Sequence, residues 1–203
     1  MKLLAARLRG SGYVVVENAE PGGTPIGQQI RRILLDGKNN DMAPVAELLL
    51  MFASRAQAAE QWIAPALARG EIVLSDRFTD SSLAYQGEAR GLGFEKVWAL
   101  HKLALDDLMP DLTICVEIGL TESLTRARGR NRDAAMEALQ ENRLDDQALE
   151  FHERVRRGYH KIAALEPQRF RIVDGNAEPQ IVAGRVWELV EPLVRAEPRR
   201  EAD

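Results

Sequence analysis

Four short apolar runs rich in β-branched residues, each followed by a stretch with helical spacing, constrain this chain more than anything else in it. The runs are Tyr13-Val14-Val15-Val16, Ile72-Val73-Leu74, Leu112-Thr113-Ile114-Cys115-Val116 and Phe170 to Val173. Runs without polar alternation read as strands buried on both faces, and strands that alternate with helices imply an α/β fold, a parallel sheet covered on both faces. The intervening stripes are well punctuated. Thr24 and Pro25 open a helix carrying Ile26, Ile30, Ile33 and Leu34 up to Gly37. Leu48, Leu49, Phe52, Ala56 and Ala59 mark a long helix from about Pro44 to Arg69, stopped by Gly70. A short helix through Ser81 to Gln86, a loop from Gly87 to Gly93 and a helix through Val97, Leu100, Leu103 and Ala104 follow. Thr121 caps another helix, a further one runs from Asp145 to Leu165, and the last spans Pro179 to about Val194. The tail, 196–203, is expected to be disordered.

Length fits a single domain over 1–203. A net charge of -4 excludes a broad, sequence-independent grip on a nucleic acid polymer, which needs a large cationic surplus. No apolar run approaches the roughly 20 residues that span a bilayer. The lone Cys115 has no internal disulfide partner, and residue 1 onward lacks a signal-peptide pattern. A cytoplasmic protein, with no membrane partner, is the expectation.

Ligands on parallel sheets bind beyond the carboxyl ends of the strands, so the residues after Val16, Leu74 and Val116 are the place to look for chemistry. Glu20-Pro21-Gly22-Gly23-Thr24 follows the first strand and opens a helix, a setting that suits phosphate; taken alone, an ordinary tight turn is the plainer reading. Asp76 and Arg77 end the second strand, where a carboxylate and a guanidinium side by side can orient a phosphate or a hydrated metal ion, or simply pair on the surface. Gln86 offers an amide to a base edge, and Arg90 another phosphate-reading guanidinium; a helix C-cap contact and a solvated loop charge are the plainer readings. Phe52 and Arg55 lie three apart on one helix face, with Met51 four before Arg55, so that an aromatic or thioether wall and a forked donor could hold a nucleobase. A Phe in such a helix also reads as core. Arg126, Arg128, Arg130, Arg132 and Arg143 fill a poorly periodic stretch that is either a solvated loop or a lid closing over phosphates. His101, His152 and His160 form no metal-ligand pattern.

In order and spacing, Glu20-Pro-Gly-Gly-Thr-Pro, Leu48-Leu-Leu-Met-Phe-Ala-Ser-Arg55, Ser75-Asp-Arg-Phe, Ser82-Leu-Ala-Tyr-Gln-Gly87, Arg90-Gly-Leu-Gly, Pro110-Asp-Leu-Thr and Asn142-Arg-Leu-Asp145 resemble the bacterial thymidylate kinases. The resemblance continues through Phe151 to Tyr159 and covers nearly the whole chain. It implies a P-loop kinase fold, usually a homodimer, that moves the γ-phosphoryl group of ATP to dTMP with Mg²⁺ bridging the phosphates. It also implies roles: Arg55, Ser82 and Gln86 at the thymine, with Phe52 or Met51 stacking on it. Arg77 and Arg90 fall on the dTMP phosphate side, Asp76 near the metal through its bound water, Glu20 by the acceptor site, and Arg128 and Arg143 in a lid over about 128–143. Asp76, Arg77, Arg128 and Arg143 would be the catalytic groups.

Two departures stand out. Ala19 occupies a position where the family commonly has Arg. No G-x-x-x-x-G-K-[ST] run occurs, and Met1 to Leu8 reads as the inside of a helix with no cap ahead of it. The expectation is therefore that a central strand and the ATP-binding phosphate loop belong upstream of residue 1. On that expectation the strands at 72–74 and 112–116 face a slot, and the 203 residues alone turn over little dTMP. A kinase for another nucleotide or deoxynucleoside and a non-enzymatic nucleotide-binding relic remain open.

Overall fold

The computed structural model describes residues 1–119, 143–144 and 147–196. Helix α1 (Lys2–Gly10) leads into strand β1 (Val15–Asn18), and α2 (Pro25–Leu35) follows the Gly-Gly turn. Helix α3 (Pro44–Ala58) widens into a π-helical turn at Ala59–Ile63 and ends as α4 (Ala64–Ala68), ahead of β2 (Ile72–Ser75). Helix α5 (Thr79–Ser82) continues as a π-helical segment, Leu83–Ala89. Then come α6 (Phe94–Leu105), β3 (Thr113–Glu117), α7 (Leu149–Leu165), β4 (Phe170–Asp174) and α8 (Pro179–Ala196).

The strands form two parallel pairs. Val15 lies opposite Ile72 and Asn18 opposite Ser75 in the first; Thr113 lies opposite Phe170 and Glu117 opposite Asp174 in the second. Among the described residues no ladder joins β2 to β3. The α/β class with parallel strands is as the sequence implies, but the expectation of strands buried on both faces is not met. All four residues of β2 keep partial contact with solvent, and Val116 is 48% exposed. Among the described residues each strand has a single hydrogen-bonded neighbour, which leaves side chains beside its other edge in contact with solvent. Strand β1 also starts two residues later than its β-branched run: the Tyr13 N–H is still bonded to the Leu8 carbonyl of α1 at 3.1 Å, and its hydroxyl donates to the carbonyl of Val194 at 2.9 Å.

The main core gathers Leu48 and Phe52 of α3, Ile63, Phe78, Leu83, Val97 of α6, Phe151 and Ile162 of α7, and Phe170. A smaller one joins Ala5 and Leu8 to Val15 and Trp187. Helix α7 crosses the π segment so closely that a Cβ on Gly158 would sit 2.8 Å from the Cα of Ala84. The loop read from Gly87 onward is helical as far as Ala89. There the N–H of Arg90 reaches the carbonyl of Tyr85, five residues back, at 2.9 Å, the hydrogen bond of a π turn.

Helix α8 runs two residues past Val194, and α7 is described from Leu149; Asp145 lies outside the described residues. So do the helix capped by Thr121, the lid over about 128–143 apart from Arg143, and the tail from 197 on. Among the described residues no helix is long and apolar enough to cross a membrane, and no group of three His, Cys, Asp or Glu side chains could hold a metal ion.

Candidate active site

Strands β1 and β2 end side by side, and the amide of Asn18 donates to the Ser75 hydroxyl at 3.0 Å. Both chains then leave into the same space. The N–H of Glu20 donates to Asp76 Oδ1 at 2.8 Å, which ties the turn after β1 to the end of β2. The N–H of Gly22 donates to Ser54 Oγ on α3 at 3.2 Å, and Thr24 caps α2 by accepting from Gly27 at 2.9 Å. Only glycine fits at position 23, where a Cβ would lie 2.0 Å from Asn18 Oδ1. The amides of Glu20, Gly22 and Gly27 are thus held by protein oxygens. The tight-turn reading describes what these three do better than a phosphate cradle, and the turn's effect is to bury Glu20.

A cavity of about 360 Å³, in the range of small-molecule sites, opens here. Glu20, Met51, Arg55, Asp76, Arg77, Ser82 and Gln86 line it, with Arg31, Ser81, Tyr85 and Leu144. Arg55 is its best-defined donor. Its Nε bonds Glu20, its Nη2 donates to Ser82 Oγ at 3.1 Å and to the Phe78 carbonyl at 3.3 Å, and its guanidinium lies 4.5 Å from the Phe52 ring centre. Arg55 Nη1 and Glu20 Oε2 are both buried with no hydrogen-bond partner among the described residues. Burial pushes the Glu20 carboxyl up to about 7 against the pull of Arg55. An unsatisfied buried donor costs about 1–3 kcal/mol, so an acceptor that reached this nitrogen would relieve that cost. Asp76 and Arg77 are exposed, and the Arg77 guanidinium lies 5.1 Å from the Tyr85 ring centre.

Beside the cavity, a second carboxylate is fully enclosed. Glu47, in the first turn of α3, accepts from Gln86 Nε2 at 2.9 Å, from Arg90 Nη2 at 3.1 Å and from Arg143 Nη2 at 2.7 Å. Burial raises a carboxyl's pKa, yet these hydrogen bonds and the two guanidinium charges hold Glu47 below its ordinary range.

The family model for thymidylate kinase matches residues 1–186. The chain belongs to the thymidylate kinase family. It is 44% identical over 198 residues to the thymidylate kinase of Synechococcus sp. (strain JA-3-3Ab), covering 97% of this chain and 91% of that one. It is 46% identical over 193 residues to that of Thermomicrobium roseum, covering 95% and 88%, and 44% identical over 200 residues to that of Geobacter sulfurreducens, covering 98% and 92%.

Six of the residues that the thymidylate kinase resemblance points to share the cavity: Glu20, Arg55, Asp76, Arg77, Ser82 and Gln86. Three others lie elsewhere. Phe52 is core, beneath Arg55, and Met51 takes the wall instead, because successive helical residues point about 100° apart. Arg90 lies outside the lining, bonded to Glu47 and to Gln147 at 3.1 Å. Arg143, expected in a lid, has a side chain only 1% exposed and donates to Glu47 and to the Leu34 carbonyl at 2.5 Å. A guanidinium held there braces the fold rather than facing the cavity. Arg128 lies outside the described residues.

Sequence reasoning missed Glu47, Arg31 and Ser54. The signal for Glu47 is its spacing: Glu47, Met51 and Arg55 recur every four residues and so share one face of α3. Arg31 lies on α2, six residues after the Glu20 to Pro25 motif, and its Nη1 donates to the Pro21 carbonyl at 2.9 Å. Mg²⁺ keeps most of its waters and takes one or two carboxylates, so the single exposed carboxylate of Asp76 on the cavity wall fits a hydrated ion next to a bound phosphate.

Proposed function

We propose that this cavity takes dTMP and that the reaction is transfer of the ATP γ-phosphoryl group to it, giving dTDP. The observation that carries this reading is the lining that Arg55 and Gln86 share with Arg77 and Asp76, Arg55 Nη1 being a buried donor with no partner among the described residues. Thymine meets that wall with its O4 carbonyl on Arg55 and its imide N–H on the Gln86 oxygen. Met51 packs on the base face. Arg77 holds the acceptor phosphate, whose oxygen must be aligned with the donor phosphorus; such alignment is most of what a phosphoryl-transfer site supplies. Mg²⁺, when bound near Asp76, screens charge on the transferring phosphates. Glu20 holds Arg55 in its orientation and excludes water from the base end. Arg128 keeps the lid role implied by the resemblance, and the groups that hold the β- and γ-phosphates of ATP are assigned to none of these residues. A homodimer and a cytoplasmic location belong to the same reading; Val45 and Leu49 on α3 and Leu103 on α6 leave large apolar side chains open to solvent.

Calorimetry with the 203-residue chain tests the acceptor site. Saturable dTMP binding that is tighter than thymidine binding, with the difference removed by Arg77→Ala, is the expected result. Equal affinity for thymidine and dTMP, or no binding of either, overturns the assignment.

A further inference from the structure

Glu47 touches the cavity wall without being part of it. Its Oε1 accepts from Gln86 Nε2 at 2.9 Å and from Arg90 Nε at 3.3 Å, while Oε2 takes Arg90 Nη2 and Arg143 Nη2. An ionised carboxylate has only lone pairs to offer, and two guanidinium groups keep this one ionised. The Gln86 atom facing it is therefore the amide nitrogen. With the amide reversed, two oxygens would face each other in a buried site and the Gln86 donor to Glu47 would be lost. Gln86 itself lines the cavity, and with its nitrogen committed to Glu47 its carbonyl oxygen is the amide atom left for a ligand.

We propose that Glu47 is a positioning residue for base selection: it fixes the Gln86 amide so that the cavity presents an acceptor beside the Arg55 donor. That order matches an imide edge, carbonyl next to N–H, as in thymine and uracil. It mismatches the cytosine edge, where an amino group would meet Arg55 and a bare ring nitrogen would meet the Gln86 oxygen. Arg55 has nothing to accept with, and the amide oxygen nothing to donate. The ligand class rests on the reading of the cavity as a pyrimidine nucleotide site; the orienting bond rests on geometry alone.

The test is a titration of the wild-type chain, Glu47→Gln and Gln86→Met with dTMP, dUMP and dCMP. The wild type is expected to prefer dTMP and dUMP over dCMP by at least about 100-fold, since a site built around hydrogen bonds rejects a mismatched edge strongly. A Gln at position 47 can face Gln86 with either end of its amide, so the preference should fall to about tenfold or less, as it should in Gln86→Met. A Glu47→Gln protein that weakens all three nucleotides alike, with the ratio unchanged, overturns the positioning role and leaves Glu47 structural. The side-chain amide of Gln86 in ¹⁵N-labelled, ligand-free wild type gives a second readout that needs no folded variant. Its protons are expected to exchange slowly with water; exchange at the rate of a free amide overturns the orienting bond. If the wild type binds no nucleotide while this amide is protected, the reading of the cavity fails, the base-selection claim falls with it, and only the orienting bond stands.

Discussion

Glu20 and Glu47 are both buried acids beside arginine, and they behave oppositely. Glu47 meets four side-chain donors from Gln86, Arg90 and Arg143 and sits below the ordinary carboxylate range. Glu20 meets one guanidinium, keeps an oxygen without a partner, and is pushed up to about 7. Burial is nearly the same for the two residues. Desolvation raises both carboxyls; the donors around Glu47 outweigh it, and the single guanidinium beside Glu20 does not. A carboxylate whose donors are complete belongs to the scaffold, and one whose neighbourhood has an open donor and an open acceptor belongs to a site that a ligand completes.

The largest effect should come from breaking the complete cluster. Arg143→Ala leaves Glu47 short of a charge and the Leu34 carbonyl short of a donor, so urea unfolding is expected to show a loss of about 3 kcal/mol or more. Unchanged stability would return Arg143 to the catalytic role. Breaking the incomplete pair should cost the fold less, because Glu20 can take up a proton once Arg55 is gone. Arg55→Ala should instead weaken dTMP binding by about 1–3 kcal/mol in calorimetry. A stability loss equal to that of Arg143→Ala, with dTMP affinity intact, would erase the distinction between the two regions.

The two acids also predict opposite slopes of stability against pH. Glu20 has a folded pKa raised above its ordinary value of 4.5, so the native state holds a proton that the unfolded chain releases. Its contribution is complete below about pH 4.5 and is lost as pH rises to about 7, a change on the order of 3 kcal/mol. Glu47, with its pKa lowered, contributes above 4.5, and that contribution is lost as pH falls through its folded value. Unfolding free energies measured from pH 4 to 8 should decline between 5 and 7 in the wild type and flatten over that window in Glu20→Gln. A wild-type profile flat from 5 to 8 would place Glu20 with the scaffold.

The α/β class and the order of the elements were legible because the strands carry β-branched runs and the helices carry capping Thr24, Pro25 and Pro44 at their starts. Partners across a cavity were not. Gln86 was legible as a polar group near a strand end, but what turns its amide lies 39 residues earlier on another helix. Nothing in the local sequence distinguishes Glu47 from a solvated first-turn acid except the recurrence with Met51 and Arg55. Arg143 misled for a related reason: a run of arginines reads as one unit, while burial separates its last member from the rest. The π segment was illegible because its extra residue per turn leaves the spacing of apolar positions without a clean period, and Gly87 there reads as a break.

The smallest predicted effect separates the neighbours Met51 and Phe52, one in the cavity wall and one in the core beneath Arg55. A thioether packs on a base face without the offset stacking that an aromatic ring adds, and such stacking is worth about 0.5–1.5 kcal/mol beyond buried area. Met51→Phe should therefore tighten dTMP binding by about 0.5 kcal/mol, since part of the gain goes into fitting a stiffer ring against Leu144 and Leu35. Phe52→Leu should leave dTMP affinity within about twofold and lower stability by about 1 kcal/mol, because it removes ring atoms from the core and from the face of Arg55. The two substitutions are adjacent in sequence and opposite in readout. Calorimetry that found Phe52→Leu weakening dTMP as much as Arg55→Ala would put the ring, and not the thioether, against the base, and would mean that the wall rotates on binding by the angle between successive helical residues.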